Sequence, residues 1–169
     1  MLKRRFVEAW LVLFVSIALS MIASAQEPVV LNQDALKKVV PTSFYFEGQS
    51  GPTQMRNAAA VRFGEKRHVV VALVDTAGYS SDVRAKYEGF LITDSEILIG
   101  GKSIAAGAYG FGVTKEGQFN LFDVGGKALA SVNAPKDAAL ATPQPLTISK
   151  GTAGVRLYRG RNYVTLSTK

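Results

Sequence analysis

The chain has 169 residues, no cysteine, one histidine and a formal net charge of +7. Without cysteine it forms no disulfide and has no thiol nucleophile or thiolate metal ligand, and one histidine cannot build a zinc site of several histidines. The length is that of one domain large enough to bury its own core. No dense basic run alternates with aromatic residues, so the charge does not indicate a nucleic-acid partner.

The N-terminus has the three parts of a secretory signal peptide. Basic residues at positions 3–5 precede an apolar run, Trp10–Ile22, and small residues at 23–25 offer a cleavage site before Gln26. The run is shorter than the about 20 apolar residues of a spanning helix, which favours cleavage over retention as an anchor. We therefore predict that residues 1–25 are removed, that the mature chain is exported to the periplasm or secreted, and that no stable membrane span remains.

Residues 26–41 are predicted to form a lead-in segment before the main domain. Asn32 is a typical N-cap and Pro41 a typical stop, so one short helix is expected between them. The remainder, residues 42–169, is predicted to be a single β domain.

After Pro41 the chain shows strand-and-turn patterning. Runs of apolar, β-branched or aromatic residues recur between Gly, Pro, Asn and Asp. The predicted strands are 43–47, 59–63, 68–74, 88–93, 96–99, 108–114, 118–124, 127–132, 146–149, 155–158 and 163–167. Together they predict an all-β fold, an antiparallel β-sandwich, with a small β-barrel as the alternative.

Three segments of this pattern have more specific expectations. The run His68–Val74 is almost wholly apolar, which predicts a central strand covered on both faces. Ser81–Lys86 is expected to form a helical turn that begins with a serine cap. The Ala/Pro-rich interval Pro135–Pro145 is expected to be a long surface connection.

A short internal repeat predicts two hairpins. Gly100-Gly101-Lys102 and Gly125-Gly126-Lys127 each follow an apolar residue. Adjacent glycines favour two-residue turns because both can adopt positive φ without a Cβ clash. Because the intervening chain reads as a meander, we expect both turns at the same end of one sheet.

Two enzyme-like motifs fail on their own chemistry. The strand ending in Asp75-Thr-Ala-Gly78, with Gly101-Lys102-Ser103, imitates a nucleotide-binding protein. However, Glu96 stands where the phosphate loop needs its first glycine. The sequence Gly48–Pro52 imitates a nucleophile elbow, but proline replaces its last glycine, and His68 is the only imidazole available as a base. We therefore expect no nucleotide, cofactor or metal.

Carboxylates keep one enzymatic alternative open. Glycoside hydrolysis needs only two carboxyl groups, placed about 5–10 Å apart. Aspartates in turns are more often structural, because they bond to their own backbone. The candidates at strand ends and turns are Asp75, Asp82, Glu88, Asp94, Glu96 and Asp123.

Two polar segments, Glu47–Asn57 and Asp75–Lys86, are predicted to be long loops, and long loops on a rigid sheet often carry binding sites. They contain amide, guanidinium and tyrosine groups suited to a glycan or a peptide. We expect the two loops to be neighbours in space. The candidate ligand-binding residues are Gln54, Arg56, Asn57, Tyr79 and Arg84.

The C-terminal segment Arg156–Tyr163 concentrates three arginines and two tyrosines. Such a hairpin can bind an anionic group, or its charges can protect an edge strand from pairing. The second interpretation is favoured.

The segment Ile97–Val113 carries the pattern aliphatic, Gly-Gly-Lys, aliphatic, Ala-Ala-Gly-x-Tyr. It resembles a hairpin of uncharacterised secreted bacterial β-sandwich proteins. The resemblance implies a fold and no catalytic or ligand residue.

The sequence favours an exported, non-catalytic binding module that uses the two polar segments. The alternatives are a structural or accessory envelope protein without a small-molecule site, and a carboxylate-dependent hydrolase. A glycan, a peptide or an envelope component is the expected partner, and neither nucleic acid nor nucleotide is.

Overall fold

The computed structural model describes residues 27–152 and 154–168, so the predicted signal peptide and its cleavage site lie outside the described residues. These residues form thirteen strands and two helices. The helices are α1 (Gln33–Val39) and α2 (Ser81–Lys86). The strands are β1 (Val29–Val30), β2 (Ser43–Phe46), β3 (Gln49–Phe63), β4 (Arg67–Val74), β5 (Gly89–Thr93), β6 (Ile97–Ile99), β7 (Lys102–Ile104), β8 (Gly107–Val113), β9 (Gln118–Phe122), β10 (Ala128–Asn133), β11 (Gln144–Gly151), β12 (Gly154–Gly160) and β13 (Asn162–Ser167).

The strands form two antiparallel sheets. The main sheet has eight strands in the order β1-β3-β4-β5-β8-β9-β10, with β2 paired to β3. The second sheet has five strands in the order β11-β12-β13-β6-β7. This arrangement confirms the predicted all-β sandwich. No helix among the described residues is long and apolar enough to cross a membrane.

Strand β4 is the central strand that its apolar sequence predicts. Val69, Val71 and Leu73 face the second sheet, and the alternate residues Val70 and Ala72 face the opposite side. The period of two therefore divides one apolar run between two cores. The first core lies between the sheets, and the second lies on the outer face of the main sheet.

The second core is closed by the helices and by strand β2. Leu36 of α1 and Val83 of α2 are buried in it. Phe46 of β2 stacks on Tyr87, with ring centroids 4.0 Å apart. Phe44 stacks on Phe90 at 4.7 Å. The predicted lead-in segment therefore contributes to the packing of the domain.

Both helices begin where the sequence predicts. Asn32 caps α1 by accepting a hydrogen bond from Ala35 N, 3.0 Å away, and α1 ends before Pro41. Ser80 caps α2 by accepting a hydrogen bond from Val83 N. Side-chain capping satisfies a backbone N–H that the first turn leaves free.

The prediction that Glu47–Asn57 forms a loop is wrong. Strand β3 runs from Gln49 to Phe63, and its first residues pair with β2 from Phe46↔Gln49 to Ser43↔Pro52. Glu47 and Gly48 form the tight turn, with φ of 46° and 83°. Positive φ at both residues is the geometry of a two-residue hairpin turn.

The expectation that both Gly-Gly turns share one sheet is also wrong. The first turn joins β6 to β7 in the five-stranded sheet, and the second joins β9 to β10 in the main sheet. Gly100 and Gly101 both adopt positive φ, as predicted, whereas in the second pair only Gly126 does, because that connection spans residues 123–127 and is not a two-residue turn. The chain changes sheet after β7, which has only three residues, so the meander assumed from the repeat does not form. The long connection predicted before Pro145 is present between β10 and β11.

Candidate binding surface

Strand β3 carries a bulge at the C-terminal end of the predicted ligand-binding segment Glu47–Asn57. Thr53 pairs with Val74 of β4, whereas Ala58 pairs with Ala72, so β3 takes three more residues than β4 between the same two points. Bulges interrupt the ladder and redirect side chains, and they are common beside functional sites. We define Gln54–Asn57 as the bulge.

Side chains hold the bulge in one shape. Asn57 Nδ2 donates to Gln54 Oε1 at 2.8 Å, and Gln54 Nε2 donates to the carbonyl oxygen of Val74 at 3.2 Å. Met55 is half-buried against the second core, while Gln54 and Arg56 are exposed. The bulge is therefore fixed to β4 and packed on the core, and it presents two polar side chains outward.

The two predicted segments are neighbours in space. Asp75 N donates to the carbonyl oxygen of Pro52 at 2.8 Å, immediately before the bulge. Asp75 Oδ1 accepts from Ala77 N at 3.0 Å, which shapes the turn that follows β4. The segment Asp75–Lys86 consists of this turn and α2, so it is not one continuous loop.

Tyr79 supports this region from beneath and is not an exposed contact surface, contrary to its expected role. The side chain is 5% exposed, and its hydroxyl donates to the carbonyl oxygen of Gln49 at 2.9 Å. Its ring meets Tyr87 edge-on, with centroids 5.5 Å apart. Burial raises the pKa of the Tyr79 hydroxyl, which therefore stays protonated and able to donate.

Arg84 lies apart from the bulge in the chain, on the exposed side of α2. The same helix ends with Lys86, whose Nζ lies 2.5 Å from Glu47 Oε1 and 5.7 Å from the centre of the Phe122 ring. This ion pair ties α2 to the β2–β3 turn. Of the five candidates, the structure places Gln54, Arg56 and Asn57 side by side.

The arginines of the C-terminal hairpin serve the fold, but the favoured interpretation that they protect an edge strand is wrong, because β12 and β13 lie inside the second sheet. Arg156 Nη1 lies 3.1 Å from Asp137 Oδ2, and its guanidinium stacks on Tyr163 at 4.4 Å. Tyr158 OH donates to the same carboxylate at 2.8 Å, and this hydrogen bond lowers the pKa of Asp137. Arg161 donates to the carbonyl oxygen of Leu140. These contacts fasten the β10–β11 connection.

Arg159, the third arginine of that hairpin, bridges the two sheets. Its Nη2 lies 2.9 Å from Glu88 Oε1, and its Nη1 donates to the carbonyl oxygen of Pro145. Glu88 Oε2 accepts from Val113 N at 3.0 Å. The partners of these arginines come from distant parts of the sequence, which no local pattern around Arg156–Tyr163 indicates.

The carboxylates at strand ends and turns, like the hairpin arginines, have partners within the fold. Asp94 Oδ1 accepts from His68 N at 2.8 Å, and its Oδ2 lies 3.0 Å from His68 Nδ1. Asp123 accepts from Gly125 N and Lys127 N and shapes the β9–β10 turn. The described residues contain no group of three His, Asp or Glu side chains that could hold a metal ion.

Two cavities lie away from the bulge. One is an apolar gap between the sheets, too narrow for water, which is lined by Ile99, Ile104, Phe119, Leu121, Ala130 and Val132. The other is an open groove of about 220 Å³, which is lined by Glu27, Pro28, Lys150, Gly151, Thr152 and Gly154. The bulge contributes to neither of them.

No protein-family model, curated protein or solved structure matches this chain. The function is therefore inferred from the geometry of its own residues.

Proposed function

We propose that the protein is an exported, non-catalytic binding module, and that Gln54, Arg56 and Asn57 form its ligand-binding surface. The proposed ligand is a glycan or a peptide of the envelope that offers carboxylate or hydroxyl groups. The observation that carries the proposal is Arg56, an exposed arginine at a bulge that the fold holds rigidly.

The chemistry of this surface suits oxygen-rich ligands. The Arg56 side chain has no hydrogen-bond or ion-pair partner among the described residues, so its guanidinium donors can reach a carboxylate in a forked geometry. Gln54 and Asn57 have both donor and acceptor atoms; the hydrogen bond between them and the bond from Gln54 Nε2 to the carbonyl oxygen of Val74 leave Asn57 Oδ1 and one N–H of each amide group unused. The remaining amide atoms can pair with sugar hydroxyls or with peptide groups.

Rigidity supports the same proposal. A surface that is already in its binding conformation avoids the entropy cost of ordering side chains when the ligand arrives. Here the Gln54 side chain is tied to β4, Met55 is packed inward, and the Tyr79 hydroxyl holds Gln49 at the start of the same strand.

The partners of the carboxylates support a non-catalytic role. A general acid or base needs a carboxyl group that can exchange a proton with its substrate. Glu88 is held between Arg159 and Val113 N, and Asp123 is held by the backbone of its own turn. These groups stabilise the structure, which makes the carboxylate-dependent hydrolase the weaker alternative.

A structural or accessory envelope protein remains the second candidate function. It is favoured by Tyr79, because the aromatic group expected to contact a ligand is buried in the second core. In that case the bulge would serve packing alone, and no glycan or peptide would bind to it.

A comparison of two exposed arginines tests the proposal. The exported protein is screened against arrays of neutral and uronic-acid-containing glycans and of acidic peptides, and positive compounds are titrated by calorimetry. We expect Arg56→Ala to weaken binding at least tenfold with an unchanged melting temperature. Arg67→Ala, a matched variant at the exposed first residue of β4, should bind as the original protein does. A screen without binders, or equal losses in both variants, would contradict the proposal.

A further inference from the structure

The edge strands of the two sheets differ in how they are protected. Proteins protect exposed edges by short strands, charges or proline, because unpaired backbone groups attract another strand. Strand β1 has two residues, β2 has four, β7 has three and includes Lys102, and β11 contains Pro145 and Lys150. Strand β10 has six residues, Ala128–Asn133, with no charge and no proline.

Large apolar side chains are exposed beside β10. Leu129 is 48% exposed, and Val124, in the turn that leads into β10, is 41% exposed. Glu47 N donates to the carbonyl oxygen of Val124 at 2.9 Å, which brings the end of β2 to the same corner. Tyr45, two residues earlier on β2, is 54% exposed. Apolar side chains therefore flank one end of an edge strand, as at protein-binding surfaces.

Most of β10 is a regular template for pairing. Its ladder with β9 is irregular between Ala128 and Ala130, so Leu129 bulges outward. From Ala130 to Asn133 the register with β9 is regular, and the strand continues as far as a bond from Ala134 N to Gly117 O. Four residues with one edge paired to β9 leave their other edge free to accept an antiparallel strand.

The charges around β10 favour a second copy as the incoming strand. The exported chain that begins at Gln26 lacks Lys3, Arg4, Arg5 and Glu8, so its net charge is +5, and two copies of it repel each other over most of their surface. The turn that leads into β10, residues 123–127, carries one lysine and one acidic residue and is neutral. The β8–β9 turn, residues 115–117, has the same composition and lies beside the other end of β10, where Ala134 N donates to Gly117 O. In an antiparallel pair related by a twofold axis, the beginning of β10 in one copy lies beside the end of β10 in the other, which brings the neutral turn 123–127 towards the neutral turn 115–117 of the second copy.

We propose that β10 pairs antiparallel with β10 of a second copy and joins the two main sheets into one continuous sheet. The twofold pairing places like residues of the uncharged strand near each other around the axis. It also buries Leu129 and Val124, which the single chain leaves exposed. This surface is separate from the bulge, so the inference does not depend on the proposed ligand-binding function.

Sedimentation equilibrium over a wide range of protein concentration tests the pairing. We expect a monomer–dimer equilibrium for the exported protein. Ser131→Lys adds a charge at an exposed position on β10 and should raise the dimer dissociation constant at least tenfold. Gln144→Lys adds the same charge on β11, an edge strand of the second sheet that takes no part in the proposed pairing. It should leave the equilibrium unchanged. Circular dichroism checks that both variants are folded.

A cysteine reporter tests the position of the contact independently. The chain has no cysteine, so a single Ser131→Cys substitution introduces the only thiol. Opposed residues near a twofold axis are close enough for a disulfide, so mild oxidation should give a covalent dimer, whereas Gln144→Cys should remain a monomer. The proposal is overturned by a protein that stays monomeric at every concentration, by a dimer that Ser131→Lys does not weaken, or by equal cross-linking at the two positions.

Discussion

Two tyrosines in the second core allow a matched test of what a buried hydroxyl contributes. Tyr79 donates a hydrogen bond to the carbonyl oxygen of Gln49 at 2.9 Å. Tyr87 is 1% exposed, and its hydroxyl makes no hydrogen bond of normal geometry to the described residues, although the Tyr79 hydroxyl lies close enough to act on it. Replacing each by phenylalanine removes one oxygen atom from the same aromatic cluster, so the packing loss is nearly equal.

The expected effects on stability have opposite sign. A net intramolecular hydrogen bond stabilises a protein by about 1 kcal/mol, whereas a buried polar group without a partner costs about 1–3 kcal/mol. Tyr79→Phe should therefore destabilise by about 1 kcal/mol, a fall of about 4 °C in melting temperature for a domain of this size. Tyr87→Phe should be neutral, or should stabilise by up to about 1 kcal/mol.

Urea denaturation followed by circular dichroism measures both free energies of unfolding. Tyr79→Ala provides the scale of full truncation, because deleting a buried aromatic ring costs about 3–5 kcal/mol. That loss would show that Tyr79 belongs to the core and is not an exposed contact residue. If Tyr87→Phe loses as much stability as Tyr79→Phe, the Tyr87 hydroxyl has a partner and the reasoning is refuted.

Burial raises the pKa of Tyr87 far above its ordinary value, and the neighbouring Tyr79 raises it further. The unfolded chain releases this proton near pH 10, before the folded protein does. The stability contribution is therefore complete below about pH 10 and is lost as the pH rises above it. The loss of stability between about pH 10 and 11 should be smaller in Tyr87→Phe than in the original protein.

Two further predictions concern the turns and the N-terminus. Gly101→Val should lower the free energy of unfolding by about 1–2 kcal/mol, because φ is 83° there and no other atom lies near the added Cβ. Gly126→Val should lower it more, because φ is 85° and the added Cβ also collides with the Glu47 carboxylate. Equal costs would show that the contact with Glu47 contributes nothing. Protein recovered outside the cytoplasm should have the intact mass of a chain that begins at Gln26, and a retained Met1 in that fraction would contradict signal-peptide removal.

The strands that bury one or two faces were predictable from their own residues. His68–Val74 lies between two cores, and its apolar run shows this without any partner. The caps at Asn32 and Ser80 were predictable for the same reason, since the interaction is local. In both cases the information lies within about seven consecutive residues.

The first half of β3 was not predictable in this way, because it is a strand only through its partners. Its residues are polar, and Pro52 interrupts them, which is typical of a loop. Its pairing with β2 depends on the two-residue turn at Glu47 and Gly48. The alternation of Phe44 and Phe46 before that turn was the available signal.

The burial of Tyr79 depends on a contact far away in the sequence. Its ring lies against Gly51 of β3, where a Cβ would be 3.0 Å from the ring and would also collide with the Val74 side chain. The space that receives the tyrosine therefore exists because a glycine occupies a strand that appeared to be a loop. The predicted loop at Glu47–Asn57 and the predicted exposure of Tyr79 are wrong for one reason. Once this polar segment forms a strand, Tyr79 has a surface on which to pack.

The bulge results from the same long-range pairing and explains why the candidate surface was only partly predictable. The residue types of Gln54, Arg56 and Asn57 indicated polar recognition. Their positions depend on a difference in register between β3 and β4 that no local pattern contains. Within the bulge, Met55 packs on the second core while Arg56 is exposed, so Met55 contributes to packing and Arg56 is available for binding. Substitution of Arg56 should therefore change binding without changing stability, and substitution of Met55 should affect mainly stability. A loss of binding without a loss of stability would distinguish a recognition surface from a bulge that serves only the fold.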